Sequence, residues 1–175
     1  IIPLLMVYKF TAEVLNRIRS KLEKSIKDQI EKPMGSPQAT KLDASGNLKR
    51  SIKGVVFSKD KSIYMEIFGA SYFDLIDKGG PPRTVSQSAI LKWIDDKPVT
   101  IRGHLSKKVV AKRIVHYIKE RGTIQRFGGG GAEIIDYIDR TYYDWITKEL
   151  WDGYYKDLEA QLDNILKNKT NNVNK

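Results

Sequence analysis

The sequence predicts an α+β fold: a small antiparallel sheet packed by an N-terminal amphipathic helix and several further helices, with a long helix at the C-terminus. Three observations predict it. Apolar residues recur at helical spacing from Phe10 to Ile30 and again from Ile135 to Ile165, and only one stretch, residues 52–68, alternates with a period of two. A chain of 175 residues that is 41% hydrophobic can bury one real core.

The first element is carried by Val14, Leu15, Ile18, Leu22, Ile26 and Ile30, three or four residues apart with Lys, Arg and Glu between them. Thr11 is placed to cap it, and Pro33 follows its end. Residues 33–40, rich in Pro, Gly and Ser, read as a loop. Ser45, Gly46 and Asn47 suit the opening of one helical turn through Ser51. Strands are expected at about 52–57 and 62–68, joined through Ser58-Lys59-Asp60-Lys61. A two-stranded hairpin is marginal alone, so helices or a neighbouring subunit must cover it.

Ser71-Tyr72-Phe73-Asp74 has the form of a capping box and opens a short helix that Gly79-Gly80-Pro81-Pro82 must end. A further helix is expected over Ser86 to Lys97, with Ile90, Trp93 and Ile94 on one face and Pro98 as its stop. Residues 99–106 read as an exposed excursion. Ser106 opens a basic helix to Arg121, striped by Val110, Ile114, Tyr117 and Ile118 and closed by Gly122. After Gly128-Gly129-Gly130-Gly131, read as a flexible hinge, comes a closing helix from Ala132 to Lys167, interrupted at most near Gly153. Its stripe is Ile135, Ile138, Tyr142, Trp145, Leu150, Tyr154, Leu158, Leu162 and Ile165, and it would be on the order of 50 Å long. Part of so long a helix is expected to pack outside its own domain, and the end after Asn168 to be disordered. The domain reading is 1–127 as an α+β domain and 128–175 as hinge, helix and tail.

Composition excludes several chemistries. The absence of cysteine removes disulfides, thiolate zinc sites and cysteine nucleophiles. Ile1-Ile2-Pro3-Leu4-Leu5-Met6-Val7 falls short of the about 20 apolar residues a membrane span requires and has no basic flank as a signal peptide would. Because the sequence opens on Ile, either Met6 is the translation start or earlier residues have been lost. The net charge of +10 is uneven: residues 1–50 hold ten basic and five acidic groups, residues 51–122 fourteen and seven, residues 123–175 seven and nine. The basic surface therefore belongs to the first two thirds and favours polyanions or an acidic protein. Lys107, Lys108, Lys112 and Arg113 are the residues placed to face DNA, on the polar side of the basic helix; a plain solvated face accounts for them equally well.

Enzyme motifs are each outweighed. The glycine run lacks the Gly-Lys-Ser/Thr of a phosphate loop, since Ala132-Glu133 follows and an acid there repels phosphate. Asp74 with Asp77, Asp95 with Asp96, and Asp60 with Glu66 pair carboxylates, but Glu66 is followed by Ile67 and Phe68 where a nuclease strand wants a lysine. His104 and His116 have no spaced partner for zinc. The three tryptophans and nine tyrosines could stack bases, yet at helical spacing such residues more often form core or subunit interface. No catalytic residue, cofactor or metal is expected.

One ordered series remains: Ser45-Gly46-Asn47-Leu48-Lys49-Arg50-Ser51-Ile52, the strand pair, Tyr72-Phe73-Asp74-Leu75-Ile76-Asp77-Lys78-Gly79, then Trp93 on a later helix. This order, over residues 42–94, resembles the tail-completion and head–tail-joining proteins of tailed bacteriophages, the family that includes minor tail protein Z. Gly46, Asn47, Leu48, Ser51 and Ile52 match its opening motif, Tyr72, Ile76, Asp77 and Gly79 its aromatic segment, and Trp93 its later helix. Gly80-Pro81-Pro82, the 99–106 excursion and the long closing helix depart from it. The resemblance implies a structural virion protein, present in the host cytoplasm during assembly. It would form a ring of about six or twelve copies at the neck or top of the tail. Such a ring binds portal, adaptor or tail-tube proteins and lets double-stranded DNA pass without catalysis. The contact residues expected on this reading are Tyr72, Asp77, Gly79, Pro81, Pro82, Arg83, Trp145, Trp151 and Tyr154. A nucleic-acid-binding packaging accessory, possible nuclease included, and a transient assembly factor are the alternatives.

Overall fold

The structure, a computed structural model, describes residues 8–31, 45–96, 101, 105–123 and 131–173, with side chains to residue 167. The expected loop at 33–40, most of the 99–106 excursion, His104, and Gly128 to Gly130 lie outside these. The described elements run α1 (Lys9–Glu31), α2 (Asn47–Ser51), β1 (Lys53–Lys59), β2 (Ser62–Phe68), α3 (Phe73–Asp77), α4 (Gln87–Asp96), α5 (Lys107–Arg121) and α6 (Ile134–Val173). The fold is α+β, with one two-stranded antiparallel sheet among the described residues. None of the described helices is long and apolar enough to cross a membrane. Contacts divide the chain into two units: Ile1–Ser25, Lys53–Phe68 and Ile138–Lys175 form one, Ile26–Ile52 and Gly69–Tyr137 the other.

In the first unit, α1 and α6 lie antiparallel. The pairing can be followed residue by residue. The backbone N–H groups of Phe10 and Thr11 donate to the two carboxylate oxygens of Asp157 at 2.9 and 2.8 Å. A Cβ on Gly153 would come within 2.9 Å of Val14 Cγ2 and 3.3 Å of Phe10 O. Arg17 pairs with Glu149 at 2.6 Å, and Lys21 Nζ sits 4.1 Å from the Trp145 ring centre. Each step forward along α1 is a step back along α6. Val14, Leu15, Ile18 and Leu22 are buried as their spacing predicts.

Two local expectations are corrected. Thr11 does not cap α1: the helix begins at Lys9, and the capping oxygens belong to Asp157, 146 positions away from Thr11. α6 runs through Gly153 without a break, as the sequence allows, but continues to Val173, past the expected disorder at Asn168. The missing side chain of Gly153 is what lets the two backbones approach.

The hairpin register pairs Lys53 with Phe68 and Lys59 with Ser62, so the turn is Asp60-Lys61 alone, two residues shorter than expected. Both turn residues have positive φ, 49° and 63°, the type I′ geometry that matches strand twist and favours glycine. Lysine in the left-handed region is costly, so Lys61→Gly should stabilise the chain by roughly 0.5–1 kcal/mol. A rise in the urea midpoint with an unchanged slope would verify this.

The second unit is built on Leu48, Ile52, Ile94, Ala111 and Ile134, all buried, together with Ile26 and Ile30 of the end of α1. Gly46 opens α2 at φ 75°, where a Cβ would meet Arg50 Nη1 at 2.7 Å. Ser51 Oγ donates to Leu48 O and accepts the N–H of Ala70, tying α2 to the chain leaving β2. Ser86 Oγ accepts the Ala89 N–H at the start of α4, and Ser106 caps α5 as expected. The Ser71 capping box is absent: α3 has Tyr72 at its N-cap and no side-chain cap bond. α4 packs on α5.

Candidate functional site

The segment from Asp77 to Arg83 is a junction within the second unit. Four consecutive N–H groups, those of Ala132, Glu133, Ile134 and Ile135, all turn toward residues 76 and 77. Ala132 donates to Ile76 O at 2.8 Å and Glu133 to Asp77 O at 2.9 Å. Ile134 and Ile135 donate to Asp77 Oδ1 at 2.6 and 3.0 Å. The Asp77 carboxylate thus does for α6 what a local N-cap does for other helices, with its charge at the positive end of the helix dipole. The approach is so close that a Cβ on Gly131 would lie 1.9 Å from Asp77 O. Gly131 is therefore buried against the Asp77 backbone.

The same loop grips the end of α5. Gly80 N donates to Thr123 Oγ1 at 2.8 Å, and Thr123 N to Gly80 O at 2.7 Å. Gly122 closes α5 at φ 68°, with its Cα so near that a Cβ would meet Gly80 O at 2.2 Å. Arg83 N donates to Ile118 O.

These contacts sort the residues expected to meet a neighbour. Asp77 is 4% exposed and turned inward, so it is not available to another subunit. Its Oδ1 already accepts two amides. Gly79 and Arg83 are half-buried, while Tyr72, Pro81 and Pro82 are exposed on the outside of the loop. Trp145 is half-buried under Lys21 and meets Tyr142 edge-on at 6.1 Å, which makes it an intramolecular contact. Trp151 and Tyr154, by contrast, are 58% and 42% exposed, edge to face at 6.2 Å.

The closing stripe read from the sequence is in fact two faces of one helix. Ile138, Tyr142, Trp145, Gly153 and Asp157 fall on the side toward α1. Trp151, Tyr155, Leu158, Leu162 and Ile165 follow a four–three spacing that confines them, at about 100° per residue, to a roughly 80° arc on the opposite side. All five are exposed. Tyr155 was missed in the sequence, because a single stripe was drawn through Tyr154. Its four-residue step from Trp151 was the available signal.

Of the residues placed to face DNA, Lys107 forms an ion pair with Asp95. Lys108, Lys112 and Arg113 are exposed, and Arg113, His116, Tyr117, Glu120 and Arg121 line a shallow hollow along α5. Arg121 lies 5.8 Å from the Tyr117 ring centre. The face is basic and open, with Glu120 as its one acid. Comparison with protein-family models, curated proteins and solved structures finds no match to this chain.

Proposed function

We propose that the chain is a structural assembly protein of a phage neck or tail top, one that works by contact with other virion subunits, including its own copies, and catalyses nothing. The motif order at residues 42–94 supports the place. The observation that carries the mode of action is the outer face of α6, where Trp151, Tyr155, Leu162 and Ile165 are each more than half exposed. Continuous apolar surface of this kind on a folded protein marks a site of association, and tryptophan and tyrosine are the residues that dominate such contacts. The basic face of α5 suits passing DNA, which it would meet without regard to sequence.

The test is to place charge on the outer face. Leu158→Glu and Leu162→Glu together should abolish assembly with copies or with portal protein, because burying one leucine contributes roughly 1.5–3 kcal/mol that a carboxylate cannot replace. Thermal unfolding of the isolated chain should move far less than assembly, since both residues lie on the exposed face, Leu162 at 59%. Assembly unchanged by the double variant would overturn the reading. So would Mg²⁺- or Mn²⁺-dependent DNA cleavage by the purified chain.

A further inference from the structure

The two edges of the hairpin are not equivalent. In a hairpin closed by a two-residue turn, the residues flanking the turn exchange both hydrogen bonds. Lys59 and Ser62 are that pair, so Phe57 with Tyr64, Val55 with Glu66, and Lys53 with Phe68 bond inward as well. The N–H and C=O groups of Gly54, Val56 and Ser58 then point off one edge, and those of Ile63, Met65 and Ile67 off the other. An independent contact agrees with this phase: Gly54 N donates to Glu23 Oε1 at 2.8 Å, and Gly54 O accepts from Arg19 Nη1 at 3.3 Å. The β1 edge is thereby closed by two side chains of α1.

Among the described residues the β2 edge has no such cover. No described residue hydrogen-bonds to the backbone of Ile63, Met65 or Ile67. Proteins protect a free edge with Pro, with lysine or with a bulge. Ser62–Phe68 has no Pro, lysine or bulge and pairs with β1 residue for residue, and its one charge, Glu66, stands on the exposed face with Tyr64 and Phe68.

We propose that β2 is a self-complementary edge, on which a second copy pairs its own β2 antiparallel about a two-fold axis between the two Met65 residues, giving a four-stranded sheet in the order β1-β2-β2-β1. The strand's own sequence selects this register. It brings Met65 opposite Met65 and Ile63 opposite Ile67, so that all three outward positions of each copy find partners. Glu66 falls opposite Tyr64, not opposite the other copy's Glu66, which avoids the like-charge pair that destabilises a cross-strand contact. Side chains keep their faces, with Ile63, Met65 and Ile67 on the same side as Gly54 and α1. Pairing β2 with a second copy's β1 is disfavoured, because that edge is occupied at Gly54. A two-fold contact closes at two copies and is not a step round a ring. It is thus additional to the contact through α6, and either can fail alone.

The absence of cysteine makes the register directly testable. In a hydrogen-bonded antiparallel pair the facing Cα atoms are about 5.5 Å apart, within disulfide reach. Met65→Cys alone should give a disulfide-linked dimer under mild oxidation. Ile63→Cys alone should not, whereas an equimolar mixture of Ile63→Cys and Ile67→Cys chains should cross-link. Hydrogen exchange supplies the second measurement. Raising the concentration of the unmodified chain should slow the amides of Ile63, Met65 and Ile67 roughly tenfold or more while leaving Val56 and Ser58 unchanged. Met65→Pro removes an outward N–H and no bond of the β1–β2 ladder, with Met65→Ala as the control for the lost side chain. The hairpin should survive in both and the dimer be lost in the proline variant. A monomeric mass at all concentrations, equal cross-linking at 63 and 65, or protection that ignores the alternation would overturn the proposal. Leu158→Glu should leave this dimer intact.

Discussion

Replacing Asp157 with alanine will lower the free energy of unfolding by roughly 2–4 kcal/mol, because it leaves two amides at the start of α1 without acceptors where water cannot reach easily. The carboxylate is 2% exposed, and both of its oxygens are used, one by Phe10 and one by Thr11. Each bond is charge-assisted and each is made at the N-terminus of a helix, where negative charge is favoured. Asn at this position keeps one acceptor and no charge, so Asp157→Asn should cost less than the alanine variant. Thr11→Val is the discriminating control. If the helix were capped locally, as its sequence suggests, the valine would be costly. With the cap supplied by Asp157, and Thr11 Oγ1 making no hydrogen bond, it should be close to neutral. Urea unfolding of the three variants, with the slope held as a check on two-state behaviour, separates the outcomes. A near-neutral Asp157→Ala would mean that α1 is held by its apolar stripe alone.

The contrast between Thr11 and Asp157 marks where the sequence was legible. Periodicity located α1, the hairpin, α4, α5 and α6, since burial of an apolar stripe is a local pattern with a fixed repeat. Val14, Leu15, Ile18, Leu22, Ile26 and Ile30 are all buried as drawn. Local caps at Ser106 and the stop at Gly122 were equally visible. Caps supplied from afar were not, because nothing near Asp157 or Asp77 in the chain announces a helix end 146 or 57 positions away. Asp77 reads as a contact carboxylate for that reason, and Asp157 draws no reading from the sequence at all. Two glycines show the same limit: a Cβ on Gly131 would meet the Asp77 backbone and one on Gly153 the Val14 side chain, close approaches that no local pattern announces. On α6, an apolar face turned to α1 gives way along the helix to one turned outward after Trp151, and a single stripe drawn through both assigns Trp145 to the surface. The outward face was legible as an excess of aromatic residues, not as a direction.

Asp77→Ala should be as damaging as the Asp157 change, and it bears more directly on function. The carboxylate holds the Ile134 and Ile135 amides, Ile134 is 1% exposed, and the neighbouring amides of Ala132 and Glu133 bond to carbonyls of the same turn. Removing it leaves donors unpaired at a buried helix start and takes a negative charge from the dipole's positive end, a loss of roughly 2–4 kcal/mol. Asn should restore most of it, since both amides are held by one oxygen, Oδ1, which an amide oxygen can replace, and only the charge is lost. Hydrogen exchange should show the first turn of α6 opening well before the rest of the helix. Any failure of Asp77→Ala in assembly would then scale with its loss of stability. At a temperature where the variant is still folded, its outer α6 face is untouched, and assembly should return. An Asp77→Ala chain that keeps full stability but cannot assemble would show that the carboxylate meets a partner after all, and would move the contact from α6 to the Gly79 to Arg83 loop. A stable variant that loses a metal-dependent nuclease activity would replace the assembly reading altogether.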